Sequence, residues 1–220
     1  MKIVTIADQH GNLADLPPCD LLLIAGDICP RADHTYGFQL SWLEAGFIYW
    51  AKRQQAKKII LVAGNHDFIL ERSDAKQLLR DKVPNLVYLE DDYCYYEDYK
   101  IYGSPWQPYN GGWAFNLYEE DLAKKYAQIP HDAHIIVSHG PPFGYGDKTP
   151  RKHTDDNETS WPEPVHSGSP SLTKRIEEIN PKLVVFGHIH QGFGTYKLGD
   201  SILVNCACKP VELTLPPIKP

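Results

Sequence analysis

Two histidines flank one isoleucine in "VVFGHIHQG", Val184 to Gly192, directly after an apolar run and a glycine. A single histidine at such a place reads as a satisfied core residue. Two as His-x-His call for a shared partner, and the chain offers several. Asp8 and His10 follow "KIVTI", Asp27 closes "DLLLIAGD", Asn65, His66 and Asp67 close "KIILVAGNHD", and His139 closes "HIIVSHG". The donor inventory is two carboxylates, one amide and four or more imidazoles, with no thiolate among them. Nitrogen and oxygen donors in that ratio suit Mn, Fe, Co, Ni or Zn. A calcium cage would want oxygens only. Asp8, His10, Asp27, Asn65, His139, His188 and His190 are too many for one tetrahedral ion with an open position. They fit two ions if one carboxylate bridges, and Asp27 is the candidate bridge.

Something must bring these distant residues together. Each one ends a short run nearly continuous in Val, Ile and Leu, the signature of strands covered on both faces. Strands of a parallel sheet share one C-terminal edge, and α/β proteins bind ligands in the crevice outside it. Gly26, Gly64 and Gly187 precede candidate ligands, while Gly11 and Gly140 follow them, which permits sharp turns. Helical patterns lie between some strands. Phe38, Trp42, Leu43, Phe47 and Trp50 recur at three- and four-residue steps within 35–56. "SDAKQLLRDKV" opens with Ser73 as a cap candidate and Asp74 in its first turn. "SLTKRIEEIN" is stopped by Pro181. "YCYYEDYKIYGS" and "FGTYKLGDSILVNCA" read as hairpins, the second turning near Gly199-Asp200. The fold class is therefore α/β, with two sheets or one large mixed sheet layered by helices. From 145 to 169 the chain is polar and rich in Pro, Asp, His and Gly, so a lid beside a site or a plain surface loop is expected there.

Bulk composition fits a single domain over residues 1–220, with 42% hydrophobic residues, ample for a core. A formal net charge of -6 provides no broad positive field, so neither stable nucleic-acid binding nor membrane association is expected. The opening "MKIVTIADQHG" lacks the shape of a signal peptide, and no run approaches a membrane span. Five cysteines, an odd number without a CxxC pair, point to a reducing cytoplasm. Cys206 and Cys208 form a C-x-C that could take a soft metal, although alternating small residues near a final strand are more often plain packing.

In their order, "DQH", "GD", "GNHD", "SHG" and "GHIH" resemble the calcineurin-like metallophosphoesterase superfamily. "YGSPWQPYNGGWAFNL" and "SHGPPFGYGD" resemble a narrower group within it, the metallophosphoesterase-domain class III phosphodiesterases. Ala7 departs from the serine often found before the first aspartate, at a position that is not a ligand in the pattern. The resemblance implies a four-layer α-β-β-α sandwich with two mixed sheets. It implies that Asp8, His10, Asp27 and His190 hold one divalent transition-metal ion, and that Asp27, Asn65, His139 and His188 hold a second. Manganese is the first expectation, with Fe, Zn, Ni or Co as alternatives. His66 would sit just outside the metals, facing the leaving group, and Asp67 would orient a neighbouring group such as a histidine. Two divalent ions less Asp8, Asp27 and a bridging hydroxide leave a local charge of about +1, enough to attract a phosphate to an acidic protein. The hydroxide would attack phosphorus in line while His66 assists the departing oxygen.

The substrate is less legible. Trp106, Tyr109, Trp113, Phe115 and Tyr118 lie in a loop that could stack a nucleobase or form a satellite hydrophobic cluster. Arg31, Arg151 and Lys152 could meet a phosphate or be solvated surface charges. Few basic residues lie near the motifs, which favours small phosphodiesters, and the resemblance implies the same through cyclic nucleotides and related diesters. A phosphomonoesterase or phosphoprotein phosphatase, and a metal-bound scaffold with negligible turnover, are the alternatives.

Overall fold

The computed structural model describes residues 1–150 and 163–218. Parallel strands β1 (Lys2–Ile6), β2 (Cys19–Ala25), β3 (Ala56–Val62) and β4 (Leu86–Tyr88) start the first sheet. A hairpin, β5 (Asp92–Tyr96) and β6 (Tyr99–Ser104), starts the second, and the short β7 (Gln107–Pro108) and β8 (Asn116–Leu117) pair outside it. After β9 (Ile135–Ser138), β10 (Lys148–Thr149) and β11 (Val165–His166) form a two-stranded ladder. β12 (Leu183–Phe186), the hairpin β13 (Gly194–Leu198) and β14 (Ser201–Asn205), and β15 (Val211–Thr214) complete the strands. The first sheet has the order β15-β1-β2-β3-β4, and the second β13-β14-β12-β9-β6-β5. Both are mixed: β15, β13 and β5 run antiparallel to their neighbours, while β12 and β9 are parallel.

The apolar runs are continuous because alternate residues enter two different cores. In β1, β2 and β3, Val4, Ile6, Leu22, Ile24, Ile59 and Leu61 face the helices, whereas Ile3, Leu21, Leu23, Ile60 and Val62 face the other sheet. In β12, Leu183 and Val185 enter that same inter-sheet core, and Val184 and Phe186 point away from it into a third. Helices α1 (Tyr36–Trp42), α2 (Ile48–Arg53) and α3 (Ser73–Lys82) cover the first sheet. Helices α4 (Glu119–Tyr126) and α5 (Pro170–Ile179) cover the second. Three cores between four layers give the expected α-β-β-α sandwich.

Two details differ from the sequence expectation. The helix expected across 35–56 contains a π-helical segment, Leu43–Phe47, joining α1 to α2. Ser73 is the first helical residue of α3 rather than its cap; Arg72 takes the cap position without a side-chain bond, and Asp74 Oδ1 accepts from Ala75 N. By contrast, Ser169 caps α5 by accepting from Leu172 N at 3.3 Å, Pro170 fills the first turn, and left-handed Asn180 ends the helix. Among the described residues, no helix is long and apolar enough to cross a membrane.

Candidate metal centre

The C-terminal edges of both sheets meet at one place. β1 delivers Asp8 and His10, β2 delivers Asp27, β3 delivers Asn65 and His66, β9 delivers His139, and β12 delivers His188 and His190. Turning so many side chains inward bends the backbone. Asp8, His10, Asp27 and His188 all have positive φ, at 57°, 45°, 56° and 67°. Such conformations cost of order 1–3 kcal/mol each and persist only where the surroundings over-determine them. Backbone contacts supply that constraint. Asp8 N donates to Gly26 O at 3.0 Å, His10 N to Asp27 O at 2.9 Å, and Gly187 N to His139 O at 3.1 Å. Gly187 has to lack a Cβ, which would lie 2.2 Å from Asp8 Oδ2.

Each carboxylate uses one oxygen on the backbone and turns the other inward. Asp8 Oδ2 accepts from His188 N at 2.9 Å, and Asp27 Oδ1 accepts from His66 N at 2.7 Å. The free oxygens then meet imidazoles. Asp8 Oδ1 lies 3.3 Å from His190 Nε2, and Asp27 Oδ2 lies 3.8 Å from His10 Nε2 and 3.5 Å from His139 Nε2. Asn65 Oδ1 is 2.9 Å from both His139 Nε2 and His188 Nδ1. Donors of Asp8, His10 and His190 form one cluster within 4.8 Å, and those of Asp8, Asp27 and His139 form another.

This donor set fits divalent cations on chemical grounds. His139 Nδ1 is 2.8 Å from the Ala25 carbonyl, which can only accept, so the proton of the neutral ring sits on Nδ1. Its Nε2 therefore presents a lone pair toward two oxygens that are acceptors themselves. Asp8 Oδ1 and His10 Nδ1 are buried and have no hydrogen-bond partner among the described residues. The charge balance shows crowding that a cation would relieve. Burial, then the neighbouring Asp67 and Asp8, push the Asp27 carboxyl well above its ordinary range. Burial also raises Asp8, but His190, His139 and His188 outweigh it and hold that carboxyl low. Burial pushes His10 and His188 down to about 3. Neutral imidazoles and an ionised Asp8 are the ligand forms a metal requires, and a cation would offset the repulsion that raises Asp27.

The remaining residues require adjustment. A ring nitrogen of His66 lies within 4.8 Å of donors from His10 and Asp27, so His66 belongs to the edge of the cluster. Among the described residues, Asp67 bonds no histidine. Its carboxylate accepts backbone N–H groups of Asp27, Cys29 and Gly64, each at 2.8 Å, because it sits buried between the two loops that carry Asp27 and Asn65. Arg31 is more than a surface charge: Nη2 lies 2.7 Å from His10 Nε2 and 3.2 Å from His190 Nε2. The aromatic loop divides. Phe115 is buried against Trp106 and Tyr109 stacks on Tyr118, whereas Trp113 packs 4.5 Å from the His66 ring. His34, absent from the sequence motifs, bonds His66. Cys206 is packed between the sheets, but Cys208 Sγ is 3.4 Å from His190 Nδ1. The flanks of segment 145–169 form the β10–β11 ladder around buried Asp147, which binds His166 Nδ1 at 2.7 Å. Its centre, with Arg151 and Lys152, lies outside the described residues.

The profile of calcineurin-like phosphoesterases matches residues 1–192. The chain belongs to that family. Metallophosphoesterase domain-containing protein 1 of Homo sapiens is 27% identical over 94% of this chain, which spans only 65% of that relative. An uncharacterised protein of Methanocaldococcus jannaschii is 26% identical, covering 93% of this chain and 87% of its own length. Among solved structures, a 5'-nucleotidase precursor from Thermus thermophilus aligns with TM-score 0.53 at 14% identity, over 98% of this chain and 51% of the other. A phosphopantetheinyl hydrolase from Mycobacterium tuberculosis aligns at 0.52 and 15% identity, over 94% and 89%. These two likenesses bear on fold alone.

Proposed function

We propose that this phosphoesterase is a binuclear enzyme that hydrolyses small phosphodiesters. The observation that carries the proposal is the position of Asp27 Oδ2, which faces His10 on one side and His139 on the other. Through it, the quartet Asp8, His10, Asp27 and His190 shares a ligand with the quartet Asp27, Asn65, His139 and His188. Two divalent transition-metal ions held there, manganese foremost and Fe, Zn, Ni or Co as alternatives, would supply Lewis-acid polarisation of the phosphate and of the attacking water. The protein's own groups do the rest. Arg31 offers guanidinium N–H donors to a phosphate oxygen at the rim of the cluster. His66, at the edge of the cluster, would give a hydrogen bond to the departing oxygen.

A diester needs room on both sides of phosphorus. Trp113 forms a wall beside His66 on one side. Beside His188, a cleft of about 460 Å³ is lined by Tyr109, Asn110, Thr149 and Ser167, polar groups suited to a second ester arm. The monoester reading has one observation in its favour, Arg31, which would meet the additional negative charge. Five free cysteines suit a reducing compartment such as the cytoplasm.

The test compares bis(p-nitrophenyl) phosphate with p-nitrophenyl phosphate on protein stripped of metal and refilled with Mn²⁺, with Asp27→Ala alongside. Metal-dependent diester cleavage that is lost in Asp27→Ala is expected. Faster monoester cleavage would move the function to a phosphatase. No turnover with Mn, Ni, Co or Zn would leave a metal-bound scaffold.

A further inference from the structure

His66 is held by a second histidine. His34 Nε2 lies 3.0 Å from His66 Nδ1. His34 sits two residues before α1, where Asp33 Oδ1 accepts from Thr35 N at 2.7 Å and shapes the turn into the helix. Fully buried Gln39, one turn into α1, clamps the two segments together. Its Nε2 donates to His66 O at 2.7 Å, and its Oε1 accepts from Ile69 N at 2.8 Å. Aromatic contacts box the pair. The Trp113 ring lies 4.5 Å from His66 and edge-on to His34 at 5.3 Å, and Phe68 lies 5.2 Å from His34.

We infer that His34 is a positioning residue that fixes the tautomer of His66. One proton must lie between the two nitrogens, and either ring can own it. If His66 owned it, Nε2 would turn a lone pair toward the carboxylates of the centre. If His34 owns it, His66 carries its proton on Nε2. The second arrangement is the favourable one. A ring nitrogen of His66 lies within 4.8 Å of a ring nitrogen of His10 and an oxygen of Asp27, and an N–H there can be accepted by that oxygen, whereas a lone pair would only oppose it. Both donor quartets are complete without His66, so no lone pair is required from it. His34, half-buried at the start of a helix, is free to donate from Nε2. The consequence is a neutral N–H held ready at the metal centre for the oxygen that leaves phosphorus. Preorganised donors of this kind act where charge develops and need no reorganisation at the moment of reaction. The role given to His66 rests on the phosphoesterase function proposed above, whereas the tautomer itself does not.

The experiment has two readouts. Long-range ¹H–¹⁵N correlation on the full chain labelled with ¹⁵N-histidine should show His66 protonated on Nε2, assigned with His66→Gln. In His34→Ala that signature should be replaced by a mixture of tautomers. In the kinetic arm, a cyclic nucleotide, which opens at an alkoxide, is compared with bis(p-nitrophenyl) phosphate, whose leaving group needs little help. His34→Ala should lower kcat on the first roughly tenfold to hundredfold more than on the second, with KM unchanged. His34→Gln, whose amide can donate to Nδ1, should regain most of the loss. A wild-type His66 protonated on Nδ1, or equal losses on both leaving groups, would overturn the inference. The Nε2–H signature and its loss in His34→Ala, found with no turnover of either diester, would uphold the inference while removing the diesterase function.

Discussion

Burial gives the titrating residues of this centre opposite signs. His10 and His188 are pushed down to about 3 and His66 to about 4, in each case by burial first. A depressed imidazole binds fewer protons in the folded chain than in the unfolded one. Its contribution to stability is therefore lost as pH falls below the ordinary value of 6.5 toward those lowered values. Asp27 acts the other way. Its raised carboxyl takes a proton in the folded chain first, so its contribution is largest below 3.8 and is lost as pH rises through its folded pKa. Asp27→Asn removes the opposing carboxyl and leaves the histidines. Urea midpoints of metal-free protein, followed from about pH 7 to about pH 4, should fall more steeply in Asp27→Asn than in the wild type. Parallel curves would show that Asp27 is not the buffering group. The histidines and aspartates of the two quartets were legible in the sequence because each closes an apolar run, so its place at a strand end follows from pattern alone. His34 was not legible as a site residue, and Arg31 was legible only as a charge that could meet a phosphate or stay solvated. They lie in the irregular connection between β2 and α1, where no periodicity fixes direction, and only tertiary docking through Gln39 brings His34 to His66.

Connections between elements hold these side chains in place, and Asp67 is the clearest example. It follows β3, yet three of the backbone N–H groups it accepts belong to two different loops. Asp67→Ala should cost about 3 kcal/mol or more in urea unfolding, since buried amides left without an acceptor cost about 1–3 kcal/mol each. Folded Asp67→Ala that still binds metal should keep most of its kcat. Full stability with collapsed kcat would instead make Asp67 a participant in the chemistry. Gly64, in the same connection, has no space for a side chain. An added Cβ would fall 2.3 Å from Asp27 Oδ1 and 2.5 Å from Asp27 N. Gly64→Ala should therefore destabilise by about 1–3 kcal/mol and lower the metal content together with the Tm. A variant with unchanged Tm and metal content would show that the β2 and β3 loops can separate at no cost. The central strands β1, β2, β3, β9 and β12 were readable because their two buried faces leave little polar alternation. The π-helical segment was not, because apolar residues at steps of three and four look the same whether or not one turn holds an additional residue. Its physical trace is the change of face along the helix: Phe38 is 37% exposed while Leu43, Phe47 and Trp50 are buried.

Across the whole molecule, the centre lies where the two sheets come together at one edge of their shared core. Asp8, His10, Asp27 and Asn65 belong to the first sheet, and His139, His188 and His190 to the second. Asp8 Oδ1 lies 3.3 Å from His190 Nε2, and Asn65 Oδ1 meets both His139 and His188, so contacts cross between the sheets in each quartet. A cation bound there ties the layers at their edge, and the inter-sheet core ties them through their faces. Binding to the folded chain alone stabilises it by about 2.7 kcal/mol when the free ion is at a hundred times its Kd. For a chain of this size that corresponds to roughly 5–10 °C in Tm. Chelation should therefore lower the Tm by about that amount in a single transition, and Mn²⁺ should restore it. Backbone amides after β1, β2 and β3 and those after β9 and β12 should lose hydrogen-exchange protection together. If chelation instead produced two transitions, or exposed the strand ends of one sheet only, the ion would be held within one sheet. The shared Asp27 ligand, and with it a centre spanning both sheets, would then be wrong.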